Sequence, residues 1–348
     1  MNLREQVELA PITTLGIGGP ARYFIEAASD AEVREAVQFS AAQGVPLLVL
    51  GGGSNLVIAD AGFPGLVLKV GLRGAERRYD GDRATYRVAA GEDWDVFVAR
   101  SVADGCAGIE CLSDIPGTIG GTPVQNVGAY GQEVAETIVE VEALERRSLE
   151  VIRFSSAECG FGYRTSRFNS TDRERHIILR VTFALRRGGN PGLRYAELQK
   201  VFAGSAEAAT LPQVREAVLE IRRSKSMVLD SNDENRRSAG SFFKNPVLPQ
   251  ADYEALNERL RSRGLAVPSY AAGEGRRKLS AAWLVEQAGF AKGFTKGAVG
   301  ISSRHSLAIV NRGGATAADI VSLKDDIQAR VLAEFGIQLQ PEPVFVGF

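Results

Sequence analysis

The sequence predicts an α+β fold with two N-terminal lobes and a separate C-terminal domain. Helical and strand patterns alternate in residues 1–70, strands dominate residues 71–225, and helices mix with short strands in residues 226–348. With 348 residues, the chain is long enough for two or three hydrophobic cores. We also expect the last strand to return to the N-terminal lobes.

The first lobe begins with a helix and two strands. Ser29 and Glu32 have the S-x-x-E spacing of a capping box, and apolar residues then recur on one helical face as far as Gly44. The continuous apolar run at residues 46–50 predicts a strand that is buried on both faces. Residues 66–70 predict a second strand.

The rest of the chain contains further strands and helices and one long turn-rich segment. Apolar patterns predict strands at residues 86–90, 138–144, 151–154, 177–185, 307–310 and 337–346. Helices are predicted at residues 93–103, 251–263 and 280–288, after Thr316, and after a capping box of Thr210 and Gln213. Residues 114–131 contain five glycines and two prolines, which are too many for a regular element.

Composition excludes several classes of function. The chain has 41 Lys and Arg residues against 42 Asp and Glu residues, a net charge of −1, so we expect no nucleic-acid partner. No apolar run approaches the ~18–20 residues of a membrane span, and the N-terminus lacks the apolar stretch of a secretory signal. We therefore expect a cytoplasmic protein without a membrane partner.

With three cysteines and two histidines, the chain has few residues that could serve as metal ligands. Cys106, Cys111 and Cys159 show no CxxC spacing, so buried thiols are a better interpretation than a disulfide framework or a zinc site. A redox pair of Cys106 and Cys111 stays open. His176 precedes a predicted strand and His305 lies in a predicted loop, and we interpret both as incidental surface residues. We expect neither a metal nor a Ser-His-Asp triad.

Residues 239–246, Ala-Gly-Ser-Phe-Phe-Lys-Asn-Pro, form the most informative segment. Ser241 lies between Gly240 and two phenylalanines that would exclude water, and Lys244 and Asn245 follow as donors for an anionic or carbonyl-bearing ligand. A serine in this setting indicates protonation of a carbanion or enolate. The alternative is a polar turn before a strand.

Two glycine-rich loops predict a phosphate-binding site. Residues 51–55, Gly-Gly-Gly-Ser-Asn, follow a buried strand, and successive backbone N–H groups in such a turn form a nest for phosphate. This first glycine loop fits neither the P-loop nor the dinucleotide-binding pattern, so a dinucleotide would bind by another architecture. The second glycine loop, at residues 115–131, would clamp a pyrophosphate from the other side.

Two charged residues complete the candidate chemistry. Arg164 follows an aromatic pair, and arginine can hold a carboxylate with two parallel hydrogen bonds. Glu342 is held between Pro341 and Pro343. A surface arginine and a solvated glutamate are the alternatives at these positions.

Together these segments resemble the UDP-N-acetylenolpyruvoylglucosamine reductase family along nearly the whole chain. The resemblance rests on TLGIGG at residues 14–19, LGGGSN at 50–55, IPGTIGGTPVQNVGAYGQE at 115–133, FGYR at 161–164, AGSFFKNP at 239–246, KLSAAWL at 278–284 and the terminal PE at 341–342. The segment LRYAEL at 193–198 resembles the longer type within this family, in which a loop that bears a tyrosine covers the substrate.

The resemblance implies an NADPH-dependent flavoenzyme of peptidoglycan synthesis that reduces UDP-N-acetylglucosamine-enolpyruvate to UDP-N-acetylmuramate. FAD would bind non-covalently between two lobes of the vanillyl-alcohol-oxidase type, over about residues 17–188, and NADPH and the UDP-sugar would share one cleft. The implied cofactor-binding residues are Gly51, Gly52, Gly53, Ser54, Asn55, Gly117, Gly120, Gly121, Thr122, Asn126 and Gly128.

The resemblance also implies roles at the reacting group. Hydride would pass from reduced FAD to C3 of the substrate and a proton from Ser241 to C2, while Arg164 and Glu342 stabilise the enolic intermediate. Many relatives have valine where this chain has Pro343, so the strand there loses one N–H donor. The implied substrate-binding residues are Tyr163, Tyr195, Lys225, Asn245, Tyr270 and Lys278.

Two other functions stay open as alternatives. One is a different FAD-dependent oxidase of the same fold that acts on an alcohol or hydroxy acid. Many such oxidases tether the flavin through histidine or cysteine, and neither histidine lies in a glycine loop here. The other is a nucleotide-sugar-binding protein without turnover, which Ser241, Arg164 and Glu342 argue against. We expect a monomer.

Overall fold

The computed structural model describes residues 2–203, 209–228 and 230–348. The chain forms two compact units. The first unit comprises residues 1–7, 20–53 and 63–224, and the second comprises residues 8–19, 54–62 and 225–348. Two short N-terminal segments therefore belong to the same unit as the C-terminal third of the chain. Within the described ranges, no helix has both the length and the apolarity that a membrane span requires.

A four-stranded sheet forms one part of the first unit. Its strand order is Arg4–Glu8, Pro20–Ala27, Phe63–Val70 and Leu47–Leu50. Phe63–Val70 pairs in parallel with both of its neighbours, and the helix Asp30–Gln43 contributes Val33 and Ala36 to the same core. This helix begins where the sequence predicts, because Ser29 accepts a hydrogen bond from Glu32 N–H at 3.2 Å.

An antiparallel sheet forms the other part of the first unit. Its strand order is Val151–Ser155, Ile138–Glu145, His176–Arg187, Arg83–Ala89 and Ala75–Asp80, and Cys106–Ala107 also pairs with His176–Arg187. The helix Trp94–Ala103 is capped by Asp93 and packs on this sheet through an aromatic cluster. Phe97 and Phe183 have ring centroids 5.0 Å apart in that cluster.

Shorter elements complete the first unit. They are the single 3-10 turns Glu110–Leu112, Ile119–Gly121, Val134–Glu136 and Arg167–Asn169, the strands Gly128–Ala129 and Gln132–Glu133, and the helices Ala196–Phe202 and Leu211–Ser224. Arg215 donates two hydrogen bonds to the carboxylate of Asp95, at 2.6 and 2.7 Å, and so ties the last helix to the helix Trp94–Ala103.

The second unit combines small sheets with α-helices. Leu56–Ile58 pairs in parallel with Val344–Val346. Another sheet has the strand order Val247–Pro249, Arg276–Leu279, Ser269–Ala271. A further sheet has the strand order Thr295–Lys296, Val299–Ile301, Ile309–Asn311. The helices are Gln250–Arg261, Ala281–Gln287 and Ala317–Phe335, and a 3-10 turn covers Ala10–Ile12. The longest helix is bounded by a capping box of Thr316 and Asp319 and by Gly336 with a φ of 71°.

The mixture of helices and sheets confirms the predicted α+β class, and most predicted elements lie within a few residues of their observed positions. Three predictions were wrong in detail. The strand predicted at residues 337–346 is limited to Val344–Val346, and the strand predicted at residues 307–310 is observed at Ile309–Asn311. The segment 114–131, predicted to lack regular structure, contains a 3-10 turn and a two-residue strand.

Candidate active site

The glycines of the two glycine loops lie in the first unit, where the loops are in close contact. A Cβ atom on Gly52 would lie 2.6 Å from the Cα atom of Gly117, and one on Gly51 would lie 2.8 Å from Oγ1 of Thr118. Such distances are too short for real side chains, so this contact requires glycine. The structure therefore brings together the two loops that the sequence predicted to act as a pair.

The second glycine loop is fixed by backbone hydrogen bonds. Gly117 O accepts a hydrogen bond from Trp94 N–H at 3.1 Å, and Gly120 N–H donates to Ala90 O at 2.8 Å. A Cβ atom on Gly120 would lie 2.8 Å from the Cβ atom of Ala90, whereas one on Gly121 would meet no protein atom within 4 Å. A fixed backbone wall with open space at Gly121 fits a ligand that binds close to the main chain, such as the pyrophosphate of FAD.

Thr122 and Asn126, two of the predicted cofactor residues, make contacts that shape the second glycine loop. Thr122 is buried, and its hydroxyl donates to Ile119 O at 2.8 Å. Asn126 is buried with a φ of 46°, and its Nδ2 donates to Glu133 Oε2 at 2.7 Å and to Gly162 O at 3.0 Å. Both residues therefore hold the loop in shape, and their contact with a cofactor stays a prediction.

Arg164 lies in a tight turn beside the second glycine loop. Gly162 and Thr165 exchange backbone hydrogen bonds at 2.9 and 3.2 Å, and Arg164 between them has a φ of 55°, which is uncommon for a bulky residue. Arg164 Nη2 donates to Gly128 O at 2.6 Å, and its guanidinium carbon is 5.5 Å from the centroid of the Tyr163 ring. The structure therefore groups three predicted site residues, Arg164, Gly128 and Tyr163.

Tyr195 also lies next to the second glycine loop. It precedes the helix Ala196–Phe202, and its ring packs edge-on against that of Tyr130 with centroids 5.3 Å apart. Burial raises the pKa of Tyr130, and the nearby Arg222 partly opposes this rise. Arg222 is itself buried and donates to Asp114 O at 2.9 Å. The predicted tyrosine-bearing segment is thus packed on a loop that the sequence assigned to the cofactor.

In the second unit, Ser241 lies at a sharp turn and contacts a histidine. Gly240 has a φ of 73°, which favours glycine, and Phe242 N–H donates to Leu307 O at 2.7 Å. Ser241 Oγ lies 3.0 Å from Nε2 of His305, within hydrogen-bond distance. The chain segment that carries the serine is therefore paired with the loop that carries the histidine.

Glu342 is held by backbone pairing on both sides of Pro343. Glu342 N–H donates to Phe242 O at 2.8 Å, and Asn55 Nδ2 donates to Glu342 O at 3.2 Å. Beyond the proline, Val344 N–H donates to Asn55 O at 2.9 Å. Pro343 thus lies where the chain changes its pairing partner, and the flanking residues supply the N–H donors. The structure brings Glu342 next to the segment that carries the candidate proton donor.

Two of the predicted substrate residues lie in one small sheet, and a third contacts the helix that follows it. Tyr270 and Lys278 lie directly opposite each other in an antiparallel pair, and Tyr270 is 62% exposed. Asn245 uses its Oδ1 atom to accept a hydrogen bond from Ala281 N–H at 2.9 Å, which satisfies a donor at a helix start. Lys225 is the first residue of the C-terminal segment of this unit. Their contacts with a substrate stay predictions.

The structure corrects the interpretation of both histidines. His305 is partly buried and contacts Ser241, which is 64 positions away in the chain, so no local pattern indicated the pair. His176 has a side chain only 2% exposed, and its ring lies 5.0 Å from that of Phe154 and 6.2 Å from that of Phe168. Burial lowers the pKa of His176. Neither histidine is an incidental surface residue.

The cysteines are buried, as the sequence predicts. Cys106, Cys111 and Cys159 are all free thiols, and burial raises the pKa of Cys111 and of Cys159 to about 12. Among the residues that the structure describes, no cluster of histidine, cysteine or acidic side chains has the arrangement of a metal site.

Two known protein families match this chain, one in each part of the sequence. The FAD binding domain family matches residues 21–154, which contain both glycine loops in full. The C-terminal domain family of UDP-N-acetylenolpyruvoylglucosamine reductase matches residues 232–346, which contain Ser241 and Glu342. The fold and these matches define an FAD-binding oxidoreductase with a separate C-terminal domain.

Similarity to individual proteins extends along the whole chain. A UDP-N-acetylenolpyruvoylglucosamine reductase of Streptomyces coelicolor is 49% identical over 345 residues, covering 97% of this chain and 89% of the relative. One of Thermobifida fusca is 48% identical, with coverages of 98% and 97%. The crystal structure of a reductase of this name from Thermus caldophilus has a TM-score of 0.67 at 26% identity and covers 99% of this chain and 100% of its own. This chain belongs to the UDP-N-acetylenolpyruvoylglucosamine reductase family.

Proposed function

We propose that the protein is an NADPH-dependent flavoenzyme that reduces the enolpyruvyl group of UDP-N-acetylglucosamine-enolpyruvate to give UDP-N-acetylmuramate for peptidoglycan synthesis. The observation that carries this proposal is the 49% identity to a reductase of that specificity over 97% of the chain. When bound, FAD supplies the hydride chemistry between NADPH and the substrate. A different oxidase of the same fold is not favoured, because the similarity includes the C-terminal domain as well as the FAD-binding domain.

Ser241 is proposed as the proton donor to C2 of the substrate. Its position supports this role, because the adjacent Phe242 is buried and its N–H donates to Leu307 O, which fixes the segment that carries the hydroxyl. Its Oγ atom also lies 3.0 Å from Nε2 of His305. A hydroxyl held in this way can deliver a proton to one carbon in one direction.

Arg164 and Glu342 are proposed to stabilise the enolic intermediate. Arg164 has a guanidinium with five N–H donors, and its Nη2 atom donates to Gly128 O. Placing such donors where negative charge develops is a large contribution to catalysis. The backbone pairing of Glu342 with Phe242 supports its assignment, because it keeps the carboxylate on the segment next to the serine.

The cofactor and substrate residues are proposed in the positions that the family resemblance gave them. The glycines of the two loops would receive the pyrophosphate of FAD, as their close backbone contact supports. Tyr163, Tyr195, Lys225, Asn245, Tyr270 and Lys278 would hold the UDP-sugar. Of these, Tyr270 and Lys278 are the best supported as a pair, because they lie opposite each other in the same sheet.

The proposal is tested by spectroscopy and kinetics on the purified protein. We expect flavin absorption maxima, release of all flavin from an acid-precipitated pellet, and NADPH oxidation that depends on UDP-N-acetylglucosamine-enolpyruvate. Flavin retained on the pellet together with oxidation of an alcohol would favour the oxidase alternative instead. Absence of turnover with bound nucleotide sugar would favour a binding protein.

The proposal extends to the organisation and setting of the enzyme. We propose two N-terminal FAD-binding lobes, at about residues 1–70 and 71–225, and a substrate-binding domain at about residues 226–348. We further propose a cytoplasmic monomer that serves cell-wall synthesis, and thereby cell shape and division. Size-exclusion chromatography with light scattering and cell fractionation test these points separately from the reaction.

A further inference from the structure

The contact between Ser241 and His305 suggests a source for the proton that the serine gives up. We propose that His305 is a positioning residue that returns a proton to Ser241 Oγ as the serine protonates the substrate. This inference rests on the proposed function, because it needs Ser241 to act as a proton donor. Its geometric basis is the 3.0 Å distance between Ser241 Oγ and His305 Nε2.

The backbone on both sides of His305 is fixed by hydrogen bonds. His305 N–H donates to Oγ of the buried Ser302 at 3.3 Å, and His305 O accepts from Ala308 N–H at 3.0 Å. Leu307 O accepts from Phe242 N–H at 2.7 Å, which joins this loop directly to the serine segment. The imidazole and the hydroxyl are therefore held together by their own main chains.

Two further hydrogen bonds anchor the same loop to other parts of the second unit. Ser303 N–H donates to Oδ1 of the buried Asn235 at 3.0 Å. Ser306 is buried, and its hydroxyl donates to the carboxylate of Glu286. A loop with anchors before and after His305 keeps the ring in place, as a proton relay requires.

The chemistry explains why a serine benefits from a histidine here. An alcohol is a weak acid, and transfer of its proton to carbon leaves an alkoxide. In the proposed step, a C–H bond forms at C2 as the Ser241 O–H bond breaks. In the same step, the N–H bond at Nε2 of protonated His305 breaks and the serine O–H bond reforms, so that no free alkoxide accumulates. Neutral His305 afterwards recovers a proton from water. The two electrons arrive as the hydride that NADPH supplies through FAD in the proposed reaction.

Histidine suits this task because its ordinary pKa, about 6.5, allows it to give and recover a proton near neutral pH. A glutamine could replace the hydrogen bond but not the proton. This difference separates a relay from a purely structural contact, and it determines which variants to compare.

The first experiment reports on the contact without any turnover. The chain has two histidines, so ¹⁵N spectra of imidazole-labelled protein contain two rings, and His305→Gln identifies one of them by its loss. We expect Ser241→Ala to shift the His305 ring nitrogens and to leave those of His176 unchanged. Unchanged His305 signals would show that no hydrogen bond exists and would overturn the inference.

The second experiment measures reoxidation of the reduced enzyme by UDP-N-acetylglucosamine-enolpyruvate in a stopped-flow instrument. We expect His305→Ala and His305→Gln both to slow this half-reaction by about 10²-fold or more, the range for loss of a proton-transfer group, with normal flavin reduction by NADPH. A wild-type rate in His305→Gln would overturn the relay. As a matched control, Ser303→Ala removes the hydroxyl bonds to Glu234 and Asn235 but keeps the backbone N–H bond to Asn235 that anchors the loop, and it is expected to leave both half-reactions unchanged.

A measurement on the unaltered enzyme covers the case in which the His305 variants do not fold. The reoxidation rate in mixtures of H₂O and D₂O is expected to curve with the D₂O fraction, because two protons move in one step. A linear dependence would mean a single proton and would overturn the relay.

If Ser241→Ala itself reoxidises at the normal rate, the serine role in the proposed function fails. If Ser241→Ala is slow but both His305 variants are normal, only the present inference fails.

Discussion

The glycine loops of the first unit and the serine segment of the second unit are built in opposite ways. In the loops, the absence of side chains permits the close contact, since a single Cβ atom on Gly52 would lie 2.6 Å from the Cα atom of Gly117. In the serine segment, backbone pairing of Phe242 with Leu307 brings the Ser241 side chain to His305. The first part is proposed to form a surface for the cofactor, and the second is proposed to hold the reacting side chains.

This difference shows which features of a site can be recognised from the sequence. Only glycine allows two backbones to lie as close together as those of the two glycine loops. This requirement is therefore visible in the sequence as several glycines close together. A contact such as that between Ser241 and His305 leaves no pattern in the sequence, because any loop can contain a histidine and its partner is distant in the chain. Variants in the glycine loops and in the serine segment test whether these two parts also differ in what they contribute to the reaction.

The largest effect is expected from Ser241→Ala. Because the variant removes the proposed proton donor and no other group, NADPH should still reduce the flavin, while reoxidation by the sugar nucleotide should slow by about 10²–10⁴-fold. Stopped-flow absorbance of the flavin measures both half-reactions, and the first serves as the internal control. An unchanged second half-reaction would remove Ser241 from its role.

Arg164→Ala is expected to slow the same half-reaction by about 10²–10³-fold, the effect of removing one donor at a developing negative charge. The variant also loses the hydrogen bond to Gly128 O, so flavin content must be measured alongside the rate. Arg173→Ala is a suitable control, because Arg173 is exposed and contacts Glu174 rather than a glycine loop. If only flavin reduction suffered, Arg164 would belong to the nicotinamide site.

Two glycine variants separate a protein clash from a ligand clash. Gly52→Ala should lower flavin affinity about tenfold or more and also lower the melting temperature of the flavin-free protein, since overpacking costs about 1–3 kcal/mol. Gly121→Ala meets no protein atom within 4 Å, so it should lower flavin affinity with no change in that melting temperature. Fluorescence titration with FAD and calorimetry measure the two quantities. Normal affinity in Gly121→Ala would exclude direct contact of this position with the cofactor.

The smallest effect is expected from Pro343→Val. The N–H groups of Glu342 and Val344 make the pairing bonds around this position, so valine should leave kcat unchanged. The free energy of unfolding should fall by about 0.4–1 kcal/mol, because valine leaves the unfolded chain more freedom than proline does. Urea denaturation and steady-state assays test this. A large loss of kcat would mean that the proline itself sets the position of Glu342.

Much of the fold could be predicted because local chemistry determines it. Ser29 and Thr316 begin helices where their capping patterns indicate, and Gly44 and Gly336 end them with positive φ values. The strand predicted at residues 337–346 failed because this segment changes partner. Gln340 and Glu342 bond to residues 242–244, whereas Val344–Val346 pairs with Leu56–Ile58. Such pairing depends on distant segments that a local pattern does not contain.

Residue type and spacing along the chain were enough to predict the α+β class, several helix ends, the pairing of two glycine-rich loops and the family resemblance. The folded structure was needed to show that Gly52 contacts Gly117, that the chain changes its pairing partner at Pro343, and that His305 contacts Ser241. The physical reason is that hydrogen bonds and van der Waals contacts act over a few ångströms, whatever the separation of the residues in the chain.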